Sequence, residues 1–333
     1  MTALLRTILV PLDGSELAEQ ALAPAVAIAR ASGAALHLTR VFVTYDAPRE
    51  MLGEGGMPMV IEQQLEQEAW ADLKRVAERV ATELPEQVRT DRVRTRPLQS
   101  PFGETAIVVD SLRRLARRLR PDLVVMATHA RGGLSRAWLG SVADALMRSG
   151  TVPTLLIRPR DERAATPVLF RHILLPLNGS ALAEESLPLA QTLATLFHAR
   201  LTLLRVIVPP HVIARPSPVT RVNEAHVAEE EAAAARYLAT VKERVMAAGL
   251  SAETATVVAE HPARTILEYA ANHETDLIAM STRGLGGMKR FMIGSVADKV
   301  LRGAAIPVLL TKSAARNEGA AGRAAAERPA STP

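Results

Sequence analysis

Two kinds of apolar spacing alternate along the chain. Runs such as Thr7–Leu12 and Asp122–Thr128 are almost continuously apolar, whereas after Ser15 the residues Leu17, Ala21, Leu22, Ala25 and Ile28 recur at helical intervals. The first spacing suits a strand covered on both faces, the second a helix with one buried side. Strands are therefore expected at Thr7–Leu12, Ala35–Val43, Val88–Leu98, Asp122–Thr128 and Pro153–Ile157. Helices are expected from Ser15 to about Ala31, and at Val60–Glu83, Glu104–Leu119 and Ser141–Arg148. Pro24 falls inside the first helix, and its missing N–H predicts a kink or a late start there. The stretch Tyr45–Met59 reads as a long loop.

The pattern then repeats. Pro11-Leu12-Asp13-Gly14-Ser15 returns 165 residues later as Pro176-Leu177-Asn178-Gly179-Ser180, and Arg40-Val41 returns at the same interval as Arg205-Val206. From Gly140-Ser141 onward the interval has shortened to 154, with Gly294-Ser295 as the counterpart, so the first copy carries 11 extra residues before that point. Strands are expected again at His172–Leu177, Arg200–Ile207, Glu253–Val258, Leu277–Ser281 and Pro307–Thr311. The matching helices are Ala181–Phe197, Val222–Ala248, Ala263–His273 and Val296–Arg302. This is an α/β chain: two tandem copies of a doubly wound, five-stranded parallel sheet of Rossmann-like type. The boundaries read as a first domain over 1–158, a polar linker over 159–167, a second domain over 168–312 and a disordered tail over 313–333.

Composition narrows the function classes. A hydrophobic fraction of 48% and a charged fraction of 23% over 333 residues fit a globular chain with two cores. There is no cysteine, which removes disulfides, a thiolate nucleophile and cysteine-ligated metal. The net charge of +5 and pI near 9.9 invite a nucleic-acid reading. The arginines are spread over both copies, however, and aromatic residues make up only 3%, so nucleic acid is not the expected partner. No apolar run reaches the length of a membrane span and the N-terminus lacks a signal-peptide pattern, so a cytoplasmic address is expected.

The candidate chemistry lies in the loop carried twice, between the fourth strand and the last helix of each copy. It runs from Met126-Ala127-Thr128-His129-Ala130 to Gly140-Ser141-Val142, and from Met280-Ser281-Thr282-Arg283-Gly284 to Gly294-Ser295-Val296. A helix N-terminus exposes unpaired N–H groups and a partial positive charge, which together hold a phosphate. The competing reading needs no ligand: Ser141 and Ser295 each precede an acid (Asp144, Asp298) by three residues, as in a capping box. No Walker A lysine is present, and His129 has no histidine counterpart in the second loop, so no catalytic residue is assigned.

With these residues on the page, both copies resemble the universal stress protein family. Its nucleotide-binding members carry G-x-x-G, nine residues, then G-S or G-T, with an aspartate after the first strand and a valine ending the second. The resemblance implies an adenine-nucleotide alpha hydrolase-like fold and ATP as ligand, with or without magnesium. It implies that Asp13 accepts a hydrogen bond from the adenine amino group, that Val41 borders the base, and that Gly140, Ser141 and Val142 offer N–H groups, and Ser141 a hydroxyl, to the phosphates, with Pro11, Met126, Ala127 and Ala130 completing the site. In the second copy Pro176, Asn178, Val206, Met280, Ser281, Gly284, Gly294, Ser295 and Val296 take those places. Both copies depart from the pattern: Ala127 and Ala130 replace glycines in the first, and Ser281 and Asn178 replace glycine and aspartate in the second. Asn178 is expected to turn its amide oxygen toward an amino donor, and Arg283, Lys289 and Arg290 to add charge near the phosphates. The resemblance also implies association through the last strands, Thr154–Ile157 and Val308–Thr311, either within the chain as a pseudo-dimer or across a homodimer. Three functions follow in order: an adenine-nucleotide-binding stress-response regulator, a dimerising scaffold that binds no nucleotide, and a slow ATPase.

Overall fold

The computed structural model describes residues 5–44, 57–84, 93–101, 105–128, 140–149, 152–159, 170–209, 219–282 and 294–312. The expected linker beyond Pro159, the tail, most of the long loop, and His129, Ala130, Arg283, Gly284, Lys289 and Arg290 lie outside the described residues.

The first copy comprises β1 (Thr7–Leu12), α1 (Glu16–Glu19), α2 (Leu22–Ser32), β2 (Ala35–Thr44), α3 (Met57–Glu83), β3 (Val93–Pro101), α4 (Thr105–Leu119), β4 (Leu123–Ala127), α5 (Ser141–Ser149) and β5 (Thr154–Ile157). The second comprises β6 (His172–Pro176), α6 (Ala181–Glu184), α7 (Leu187–Phe197), β7 (Arg200–Ile207), α8 (Val219–Ala247), β8 (Ala252–Val258), α9 (Pro262–Asn272), β9 (Leu277–Thr282), α10 (Ser295–Gly303) and β10 (Val308–Lys312). The helix after the first strand is broken in both copies. Pro24 has no N–H for the carbonyl of residue 20, and α1 stops at Glu19. The sequence reading ran Ala181–Phe197 as one helix, and this is corrected: Pro188 cannot bond Glu184, so α6 ends there and α7 starts at Leu187.

All ten strands join one sheet in the order β3-β2-β1-β4-β5-β10-β9-β6-β7-β8. Within each copy the pairing is parallel, and the strand order reverses between β1 and β4, and again between β6 and β9. The copies meet where β5 and β10 run antiparallel, with Leu309 opposite Leu155. The last strands therefore satisfy each other within the chain, as a pseudo-dimer. Side chains of period two divide along this seam. Leu155 and Leu309 enter the core beneath α2, α3, α7 and α8, whereas Leu156, Val308 and Leu310 enter the core beneath α4, α5, α9 and α10. Each core thus crosses from one copy to the other.

One buried titratable group bears on stability. His172, at the start of β6, places Nδ1 2.8 Å from the His273 carbonyl and Nε2 2.8 Å from Thr202 Oγ1. A carbonyl only accepts, so Nδ1 carries the hydrogen and Nε2 accepts from the threonine. Burial chiefly lowers the imidazole pKa below its ordinary 6.5, against the pull of the His273 bond. The unfolded chain then binds more protons below that value, so this contribution is full above pH 6.5 and is lost as the pH falls. Urea unfolding from pH 8 to pH 5 should show a falling midpoint, with a shallower fall in His172→Gln.

Candidate nucleotide-binding cleft

In an open parallel sheet the crevice lies outside the carboxyl ends of the strands where their order reverses. In the second copy that point is the end of β6 and β9, and a cleft of about 940 Å³ opens there. The structure brings together Pro176, Asn178, Val206, Met280, Ser281, Gly294, Ser295 and Val296 on its walls. Of the second-copy residues singled out from sequence, Arg283, Gly284, Lys289 and Arg290 lie outside the described residues.

The helix end of the cleft is α10. Gly294 is its N-cap with extended ψ of 143° and makes no side-chain cap bond. A capping box would need Ser295 before the helix, but Ser295 is already its first residue, and the Asp298 carboxylate holds Arg302 at 2.9 and 3.1 Å. The capping-box reading is not realised here, and no side chain caps the first-turn N–H groups of α10 among the described residues. A Cβ built on Gly294 meets nothing within 4 Å. Ser281, in the place of the first motif glycine, donates its hydroxyl to the Leu182 carbonyl and so ties β9 to α6.

The strand end is the turn after β6. Asn178 Oδ1 accepts from Ser180 N at 3.1 Å and from Ser180 Oγ at 2.6 Å, while Ser180 Oγ in turn accepts from Ala183 N and caps α6. This corrects the sequence reading of Asn178. Its amide oxygen is committed to the turn, so the group it presents is the NH2. Gly179 has φ +83°, a conformation only glycine adopts without strain, and the Arg205 guanidinium packs against it.

The first copy repeats this turn. Asp13 Oδ1 accepts from Ser15 N at 2.9 Å and Ser15 Oγ at 2.6 Å, and Gly14 at φ +82° covers Arg40. Pro11 and Asp13 sit at the end of β1, Val41 borders the second core from β2, and Met126 and Ala127 are buried at the end of β4. Gly140 is corrected as a donor: its N–H already binds the Thr128 carbonyl, which leaves the backbone N–H groups of Ser141 and Val142 at the start of α5.

Sequence reasoning used Arg40 and Arg205 only to set the register of the repeat. It also missed the wall that α8 contributes through His226 and Glu230. Reading α3 against α8 at the same 165-residue interval would have shown Asp72 replaced by Tyr237.

The family profile described as "Universal stress protein family" matches residues 5–158 and again 169–312. The chain belongs to the universal stress protein family. A universal stress protein of Mycobacterium tuberculosis is 27% identical over 192 residues, 57% of this chain and 62% of the relative. The match thus spans under two thirds of that relative's length. One from Thermus aquaticus is 32% identical over 148 residues, 43% of this chain and 100% of the relative. A universal stress protein structure from Archaeoglobus fulgidus superposes with a TM-score of 0.65 at 17% identity, covering 92% of this chain and 98% of that one. A putative universal stress protein from Pseudomonas aeruginosa gives 0.59 at 18% identity, covering 92% and 93%. These two show that the fold is shared over both copies. No helix among the described residues is long and apolar enough to cross a membrane.

Proposed function

We propose that this universal stress protein is a nucleotide-binding regulatory protein of the stress response, with adenine nucleotides, ATP first, as its ligands. The observation that carries the reading is the convergence of eight motif residues around one cleft whose helix end is uncapped. Triphosphate oxygens accept from the first-turn N–H groups of α10, where the helix dipole favours an anion. The base then lies toward the strand-end turn, against Val206. The cleft is of ordinary size for a bound small molecule. Magnesium would be carried on the triphosphate oxygens. The first copy, with Asp13 on the turn and α5 in the place of α10, offers the second site. Each copy acts as a domain, 1–158 and 168–312, and bound nucleotide biases which partner the protein meets.

Isothermal titration with ATP, ADP and cyclic AMP tests this. Saturable ATP binding in the micromolar to low millimolar range is expected, and mass spectrometry of small molecules released from purified protein should detect nucleotide. No heat from any of the three at millimolar concentration would remove the reading.

A further inference from the structure

The two strand-end turns differ in more than one residue. In the first copy Gly14 covers Arg40, and Arg40 Nη1 meets Asp72 Oδ2 at 2.7 Å. The corresponding set in the second copy is Asn178, Gly179, Arg205 and Tyr237. Both carboxylates are gone and the guanidinium is kept: Asp13, Arg40, Asp72 and Arg75, which also pairs with Asp72 at 2.6 Å, sum to zero, where Asn178, Arg205, Tyr237 and Thr240 sum to +1. Tyr237 does not replace the lost charge. Its hydroxyl donates to Glu184 at 3.0 Å, and burial, then that bond, push the phenol up to about 12. Glu184 is itself engaged by Arg244. Nε and Nη1 of Arg205 are buried with no hydrogen-bond partner among the described residues. Glu230 also lines the cleft, yet makes no ion pair with Arg205 among the described residues. Asn178 is exposed, and its amide nitrogen has no partner among the described residues.

We infer that the second cleft selects a nucleotide whose base presents a carbonyl oxygen, a 6-oxopurine such as guanine, where the first selects the amino group of adenine. The inference rests on the nucleotide reading above, which sets the phosphates at α10 and the base edge toward Asn178, and it narrows that reading: ATP keeps the site of the first copy and occupies the second cleft only more weakly than GTP. An amide NH2 donates and cannot accept. It satisfies a carbonyl O6 and leaves the amino group of adenine unpaired, while Arg205, which has no ion pair among the described residues, favours any acceptor placed there. The two substitutions act in the same direction: one removes the acceptor for an amino group, and the other removes the counter-ion that would mask the cation.

Isothermal titration of the full chain with GTP and with ATP, on wild type, Gly294→Val and Asn178→Asp, is the test. Gly294→Val, whose side chain enters the helix end of the second cleft, identifies the signal that belongs there. At that site GTP is expected to bind about tenfold or more tighter than ATP, and Asn178→Asp to reverse the order by a similar factor. Asn178→Asp is compatible with folding, since Asp13 makes the same turn with the same two serine bonds. A site sensitive to Gly294→Val that prefers ATP, or a ratio unmoved by Asn178→Asp, overturns the base assignment and leaves nucleotide binding standing. If neither nucleotide gives a signal that Gly294→Val removes, nucleotide binding in the second cleft falls and the base assignment falls with it.

Discussion

Gly294→Val is expected to lower the nucleotide bound at saturation from about two per chain to about one, while the protein keeps its fold. The backbone at Gly294 has φ −55°, open to any residue, and an added Cβ touches nothing within 4 Å. Valine is a poorer N-cap than glycine, which costs about 1 kcal/mol or less. That cost moves the melting temperature of a domain this size by only a few degrees. A phosphate held by the first turn of α10 must approach to within about 3 Å of an amide nitrogen, and the valine methyls occupy that approach. Loss of about a hundredfold or more in affinity follows, equivalent to roughly 3 kcal/mol. Equilibrium dialysis with radiolabelled nucleotide, beside a thermal melt, measures both quantities. An unchanged stoichiometry would place the phosphates elsewhere.

The second large effect is at the seam. Leu155 and Leu309 face each other across β5 and β10, both fully buried. A lysine at either position puts an ammonium into that core without a partner, a loss of about 3–5 kcal/mol. The two variants should differ in which half fails. Leu309→Lys is expected to melt the second copy first and Leu155→Lys the first, because β10 is laddered to β9 and β5 to β4, so each strand loosens its own parallel set before the core the two copies share. Calorimetry should then resolve two transitions in each variant where the wild type shows one, with the earlier transition about 10 °C lower. Hydrogen exchange assigns the early transition to residues of one copy. A shift of a degree or less would mean that the seam contributes little to either half.

The architecture was legible because its signals are local. Strands such as Leu123–Ala127 are covered on both faces and read as continuous apolar runs, and the duplication gave each reading a second instance. The break at Pro188, which sits one position earlier in its copy than Pro24 does, was missed because the apolar spacing runs on through it from Leu182 to Leu193. Both last strands read as edges in need of a partner, and an edge looks the same whether that partner lies in the same chain or another. At the site, residue identities were legible but their polarity was not. The direction of the Asn178 amide depends on Ser180, and the isolation of Arg205 depends on residue 237, brought beside it only by packing of α8. Ser295 and Asp298 spelled a capping box one residue out of phase with the helix that formed.

The antiparallel join of β5 to β10 turns the carboxyl ends of the two parallel sets toward opposite edges of the sheet. The two mouths therefore open in opposite directions. Separate single units paired through the same edge strand would form mixed as well as like pairs from any mixture of variants. Fusion fixes every molecule as one of each kind, so a divergence confined to one mouth is neither diluted nor doubled by assembly.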